Sequence, residues 1–367
     1  MTVQIPQASP LASYTARQTE IDAAIARVLH SGWYILGKEV EEFEREYAAW
    51  NNLRAVIGAS SGTDAIELML RALDIGAGDE VITSAHTATA TASAIEKVGA
   101  IPVLVDIDLA TYNLDPQQVK AAITPRTKAL LPVHLYGFPA DMTAFTALAA
   151  EYRLTLLEDC AQAHGARWHG QRVGTFGRLA SFSFYPTKNL GAFGDGGAVG
   201  IMDETLTERV RSIGQYGWRT RYISDEPGMN TRLDELQAAI LRVKLRDLDA
   251  DNARRRAIAV RYTEALRGCV PVPPEVPHAE PVYHLYVIRC ERRDEFRKFL
   301  SERGIGTAIQ YPAPIHLQPA YQGRLGDVGS FPNAECATRE VVSLPLYPEL
   351  SDAQADQVIE AVRAFFA

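Results

Sequence analysis

Apolar and polar positions alternate in two registers along the first 250 residues. Ala55–Gly58, Glu80–Ser84, Ile101–Val105, Ala129–Val133, Thr155–Glu158, Leu179–Phe184 and Ala198–Met202 are short, mostly apolar runs and predict strands. Between them, residues 63–73, 88–98, Pro116–Ile123 and Met142–Tyr152 carry apolar residues at helical spacing. Strands alternating with helices at this interval predict an α/β domain, with a mixed, mostly parallel sheet flanked by helices. A long helix is expected from about Asp234 into the 250s, charged toward its end, as a bridge to a second domain. From about residue 246 the character changes. The run PVPPEVPHAEP (271–281) is too proline-rich for a helix or a central strand. Tyr283–Cys290 then alternates as a strand does, and Arg293–Glu302 and Asp352–Phe366 read as helices. The expectation is a large domain over 1–245 and a smaller α+β domain over 246–367.

Three stretches carry candidate chemistry. In SFSFYPTKNLGAFGDGGAVG (181–200) a strand ends in Tyr185-Pro186-Thr187, and Lys188 precedes a loop with five glycines. A lysine on such a turn has little freedom to reach solvent. Partial desolvation makes its amine a nucleophile toward an aldehyde. The glycines would let the backbone approach a bulky ligand and adopt positive φ. In TLLEDCAQAHGA (155–166), Glu158 and Asp159 end an apolar strand, where open α/β sheets bind ligands. An acid there, with Gln162 and His164 following, suits a heteroaromatic ring whose nitrogen must stay protonated. In GASSGTDAIELMLRAL (58–73), a glycine and small hydroxyl residues lead into an apolar-periodic helix. That is a phosphate cradle of backbone N–H groups with the Ser61 and Thr63 hydroxyls. Each stretch alone also has an ordinary reading: a surface lysine, a helix cap, a capped helix. Together and in this order they have the layout of a pyridoxal phosphate enzyme with the aspartate-aminotransferase fold.

Composition narrows the alternatives. The 367 residues, 47% hydrophobic and 22% charged, suffice for one large core and a second smaller one. With a net charge of −8 and no basic patch carrying interleaved aromatics, nucleic acid is not an expected partner. The four cysteines (160, 269, 290 and 336) stand far apart, without a C-x-x-C, so neither a disulfide frame nor a metal site is expected. No apolar run reaches membrane-spanning length. MTVQIPQASP lacks the basic and apolar regions of a secretory signal. A cytoplasmic location is the expectation.

SFYPTKNLGAFGDGGAV, EDCAQAHGA, GMNTRLDELQAAIL (228–241) and PIHLQPAY (314–321) resemble the DegT/StrS family of nucleotide-sugar aminotransferases, from about Leu36 to Tyr347. The resemblance implies that Lys188 is the Schiff-base lysine of pyridoxal 5'-phosphate and shuttles the proton between donor and cofactor. It implies that Asp159 pairs with the ring nitrogen, Gln162 with the ring hydroxyl, and Gly62, Thr63 and Ser183 with the phosphate. Asn230 is implied to reach the phosphate of a neighbouring subunit, giving a homodimer with composite sites. One position departs from the pattern: where many relatives carry an aromatic that stacks on the ring, this chain has Ala88. His86 is the alternative stacking residue, or else a capping or core histidine. His164 fits a structural place behind the cofactor. Tyr311, His316 and Arg219, with Arg221, are candidates for the substrate, the arginines for a diphosphate. The implied reaction moves the amine of L-glutamate, through pyridoxamine phosphate, to a nucleotide-linked keto sugar. C3 of a dTDP-3-keto-6-deoxyhexose is expected; C4 of an NDP-4-keto-6-deoxyhexose is the alternative. Relatives that act as dehydratases carry histidine in place of the lysine. A non-catalytic regulatory protein on the same fold is the rival from another class.

Overall fold

The computed structural model describes residues 4–367, so the first three residues of the MTVQIPQASP segment lie outside it. Its centre is a seven-stranded sheet of β1 (Ala55–Ala59), β2 (Glu80–Ser84), β3 (Ile101–Val105), β4 (Thr127–Leu130), β5 (Thr155–Asp159), β6 (Leu179–Ser183) and β7 (Gly197–Ile201), in the order β1-β7-β6-β5-β4-β2-β3. Strands β2 to β6 run parallel, and β7 is antiparallel to both its neighbours, β1 and β6. The sheet is therefore mixed and mostly parallel, as the alternation predicts. Most strand positions are buried, which is why these segments read as near-continuous apolar runs.

Helices cover both faces. α1 (Gln18–Ser31) and α2 (Lys38–Asn51) precede β1; α3 (Gly62–Ala72), α4 (Thr89–Lys97) and α5 (Met142–Tyr152) connect strands. One core joins Leu68 and Met69 of α3 to Ile57, Val81, Leu157 and Val199 of the sheet. Another packs Phe43 and Tyr47 of α2 against Phe182 and Phe184. The expected long helix is two, α6 (Glu235–Leu245) and α7 (Leu248–Leu266). The break falls at Arg246-Asp247, where the Arg17 guanidinium pairs with Asp247 and Asp251. Asp249 and Asp251 in the first turn of α7 favour a new helix N-terminus there.

The C-terminal part has its own core. β8 (Tyr286–Arg289) pairs antiparallel with β9 (Val341–Leu344), and α8 (Arg293–Ser301) and α9 (Asp352–Phe366) pack on them through Phe296, Val358 and Val362. Tyr262 of α7 and Ile5, from the other end of the chain, join this core.

One buried knot fixes the end of β5. Glu158 is fully buried, and its carboxylate accepts from the backbone N–H groups of Phe176 and Gly177 (2.8 Å each) and Gly174 (2.7 Å). The fourth donor is His134 Nε2, at 3.1 Å. Ala140 N–H donates to His134 Nδ1, which places the imidazole proton on Nε2. All four lone-pair positions of Glu158 are thus engaged. The grouping of His134, Glu158 and Cys160 is a hydrogen-bonded knot with no carboxylate lone pair left for a cation. Glu158→Ala would strand four donors, three of them buried at about 1–3 kcal/mol each. Denaturant titration of this variant should show a loss of more than about 3 kcal/mol; an unchanged midpoint would refute the knot's role.

Candidate active site

Strands β5 and β6 lie side by side, with Asp159 in register with Ser181. Both end at the same edge of the sheet. The chain leaves β6 at Ser183, and the Lys188 N–H closes a turn on the Tyr185 carbonyl at 2.8 Å. This turn returns Lys188 to the strand ends, where its side chain is half-buried and forms no ion pair among the described residues. Burial lowers its pKa from 10.5 to about 8, against the opposing pull of the Asp159 charge. Asp159 is buried. Desolvation raises its pKa above the usual carboxylate value, outweighing the Ala161 N–H, the Thr91 hydroxyl and the Lys188 charge that pull it down. Thr91 Oγ1 donates to Oδ2 at 3.0 Å, and Ala161 N–H to Oδ1 at 3.1 Å.

The glycine loop meets the sequence expectation in one respect and departs from it in another. None of its five glycines has positive φ. Their need is space. A Cβ on Gly197 would lie 2.3 Å from the Ser61 carbonyl carbon, and one on Gly191 2.4 Å from the Pro186 carbonyl oxygen. The loop is pressed against the cradle and against the lysine turn, and only glycine fits.

The cradle itself is the N-terminus of α3. Ser61 Oγ caps it, accepting from Asp64 N–H at 3.1 Å, and its own hydroxyl proton has no acceptor among the described residues. The N–H groups of Gly62 and Thr63 have no acceptor among the described residues. A Cβ on Gly62 would lie 2.7 Å from Ser183 Cβ, so the two residues stand in close contact. Two free backbone donors, the Thr63 and Ser183 hydroxyls and a helix N-terminus form an anion site, beside an acid and an amine. These residues fit pyridoxal phosphate.

Hydrogen-bond directions around Gln162 follow from donors of fixed type. Tyr136 N–H donates to Gln162 Oε1 at 2.7 Å, which sets the amide orientation. Nε2 then donates to Tyr311 Oη at 3.0 Å, leaving its second N–H free. The Tyr311 hydrogen has no acceptor among the described residues. Burial pushes this phenol up to about 12, with the Asp159 charge adding to the shift, so it stays a donor. His164 is fully buried behind Lys188. Its Nε2 donates to the Ser183 carbonyl and its Nδ1 accepts from the Tyr47 hydroxyl, each at 2.8 Å. Burial lowers its pKa to about 4, and it remains a neutral structural brace.

Two expected roles are corrected. His86 is 1% exposed, so it has no open face to stack on a ring. Its Nε2 is 2.8 Å from the Tyr136 hydroxyl, which itself donates to the Gln310 carbonyl. His86 is a core histidine of an aromatic cluster with Tyr112, Tyr136 and Tyr311. His316 is also fully buried, 3.1 Å from Glu335 and edge-on to Phe331, and offers nothing to a substrate. Arg219 and Asn230 are exposed. Arg219 faces Asp225 at 3.6 Å. Thr231, next to Asn230, accepts from Ser60 N–H at 2.9 Å, which ties this loop to the cradle of its own chain. Thr91, Tyr136 and His284 carry no local signal in the sequence. His284 is buried and its pKa falls well below the usual value, through burial and the nearby Lys188 charge.

Residues 15–363 match the model of the DegT/DnrJ/EryC1/StrS aminotransferase family. The chain is 50% identical over 364 residues to the dTDP-3-amino-3,4,6-trideoxy-alpha-D-glucose transaminase of Streptomyces venezuelae, covering 99% of this chain and 96% of the relative. The crystal structure of S. venezuelae DesV in complex with a ketimine intermediate superposes with a TM-score of 0.97, at 50% identity and 99% coverage of both chains. A Bacillus subtilis structure, NtdA with bound cofactor PMP, superposes with a TM-score of 0.89 at 32% identity, covering 96% of this chain and 82% of that one. With its lysine, acid and cradle assembled at one sheet edge, this chain belongs to the DegT/DnrJ/EryC1/StrS aminotransferase family.

Proposed function

We propose that the chain transfers the amino group of L-glutamate to a nucleotide-linked keto-deoxysugar, at C3 of a dTDP-3-keto-6-deoxyhexose, with pyridoxal phosphate as cofactor. The observation that carries this reading is the half-buried Lys188 amine next to the buried Asp159 carboxylate and the unspent donors of Gly62 and Thr63. The 3-amino product in the name of the S. venezuelae relative supports C3 over C4.

When bound, the cofactor supplies the aldehyde that takes up the amine and a ring that accepts the electron pair released at the donor carbon. The rest falls to this chain's residues. Gly62, Thr63 and Ser183 hold the phosphate, and Asp159 keeps the ring nitrogen protonated. The free N–H of Gln162 turns to the ring hydroxyl. Lys188 Nζ takes a proton from Cα of glutamate and returns it on the other side of the exchange. Tyr311 presents its phenol proton to the pocket. Lys188 separates this reading from the dehydratases, which replace that residue. A complete set of anchors around it argues against a purely regulatory protein.

Trp33, Tyr34, Ile35, Tyr222 and Ile223 are exposed, and a patch of this kind marks an interaction surface. A groove of about 640 Å³ beside it is lined by Trp218, Arg219, Arg221 and Arg232. A second copy of the chain covers this face in the proposed homodimer, bringing Asn230 to the partner's phosphate. The arginines then suit the substrate diphosphate.

Three measurements test the reading. At pH 7.5 an amine of pKa about 8 is about one-quarter neutral, against about one-thousandth for an ordinary lysine. The rate at which the apoprotein captures pyridoxal phosphate should therefore climb with pH and level off above about 8. Lys188→Ala should lose the capture band; a rise continuing toward pH 10 would contradict a desolvated lysine. Second, nucleotide-linked keto sugars are offered with glutamate and the product is read by NMR. A new C3–N bond is expected, and a C4–N bond would move the assignment to the alternative. Third, inactive Lys188→Ala chains are mixed with inactive Asn230→Ala chains. Recovery toward half the wild-type rate per heterodimer is expected, because one of its two sites then carries neither defect. No recovery despite subunit exchange would remove Asn230 from a composite site.

A further inference from the structure

Asp159 lies in a pocket that penalises its charge, and its supports differ in permanence. The titratable groups that face it are Lys188, His134, Cys160 and Tyr311. Lys188 supplies positive charge there, while His134 accepts from Ala140 N–H through Nδ1 and directs its Nε2 proton to Glu158 rather than to Asp159. That positive charge is not constant. A lysine amine that gives up its proton, or condenses with an aldehyde, no longer offers a fixed ammonium. The neutral donors do not change. Thr91 is fully buried, and its one hydroxyl proton goes to Asp159 Oδ2 at 3.0 Å. Thr87 Oγ1 is 3.4 Å from Thr91 Oγ1. Since the Thr91 proton is already committed, Thr87 must be the donor in that contact. Two hydroxyls therefore point in series at the carboxylate, and each polarises the next. On the other oxygen Ala161 N–H donates at 3.1 Å and Ser181 Oγ lies at 3.5 Å.

We propose that Thr91, backed by Thr87, is a positioning residue that holds the Asp159 carboxylate in one orientation and keeps it ionised throughout the turnover, independently of Lys188. The inference rests on the role given to Asp159 in the proposed function. With Oδ2 tied to Thr91 and Oδ1 to Ala161, the carboxylate cannot rotate, and its remaining lone pairs have a fixed direction. Thr91 acts through Asp159, to which its one hydroxyl proton is given. Thr87 lies in the connection from β2 to α4, and Thr91 in the first turn of α4.

The test reads the carboxylate itself. Apoprotein carrying ¹³Cγ-aspartate is titrated by NMR, with Asp159 assigned from the signal lost in Asp159→Asn. Thr91→Val keeps the shape and removes the donor, and should raise the Asp159 midpoint by about one pH unit or more. Thr91→Ser keeps the donor and should restore it. Thr87→Val, which removes only the remote hydroxyl, should move the midpoint upward by less, and serves if Thr91→Val does not fold. In the holoenzyme, Thr91→Val should lower kcat about tenfold with little change in KM, and Thr91→Ser should recover it. A midpoint unmoved in both valine variants would overturn the proposal, as would a serine variant displaced as far as the valine one. Full turnover by Asp159→Asn would instead overturn the role of Asp159, and would leave the apoprotein titration readable.

Discussion

Taking an amine and a carboxylate out of water at one edge of a sheet is the constraint on which the site depends. Dehydration works on the two groups in opposite senses. It lowers the proton affinity of Lys188 and raises that of Asp159, and unchecked it would neutralise both. A reactive amine needs the first effect, whereas an acid that must keep a ring nitrogen protonated has to resist the second. The structure separates them by the donors it supplies. Asp159 receives a hydroxyl and a backbone N–H, while Lys188 has no ion-pair partner. One pocket thus yields an amine that gives up its proton readily and a carboxylate whose raised proton affinity is partly offset by its donors.

Such a pocket requires a rigid surround, because a loosened wall would let water in and restore ordinary pKa values. Much of that rigidity lies one layer out. Glu158 uses its whole carboxylate to pin the 174–177 segment and His134 to the end of β5. His164, neutral and fully buried, spans the Ser183 carbonyl and the Tyr47 hydroxyl, and so ties the end of β6 to α2. Gly191 and Gly197 let the following loop press against the lysine turn and the cradle. These groups do no chemistry. They hold Asp159, Ser183 and Lys188 on a frame whose strands are close to continuous in burial.

The parts of the site legible in the sequence are those built from adjacent residues. The strand–turn–lysine run, the acid ending β5 and the glycine-led start of α3 each show their geometry within a few positions, and each lies where the pattern predicts. The glycines of 191–200 were legible as a need for glycine, but the reason is contact rather than left-handed backbone. What escaped depends on distant partners. Thr91 meets Asp159 across 68 residues, and His86 meets Tyr136 across 50. A histidine in a polar-looking segment gives no local sign that it will be buried, so His86 and His316 read as site residues. The α6–α7 break is hidden for the same reason: apolar periodicity continues through it, and Arg17, 230 residues away, neutralises the acids at the junction.

Protonation of the cofactor's ring nitrogen is the event that the Asp159 carboxylate has to govern. Holoenzyme reconstituted with pyridoxal phosphate ¹⁵N-labelled in the ring would report it by NMR. A nitrogen that stays protonated from pH 6 to 9 in the wild type, and loses its proton in that range in Asp159→Asn, is the predicted result. A nitrogen unprotonated in the wild type, or protonated equally in both proteins, would contradict the claim that a carboxylate kept ionised in a dry pocket governs the site.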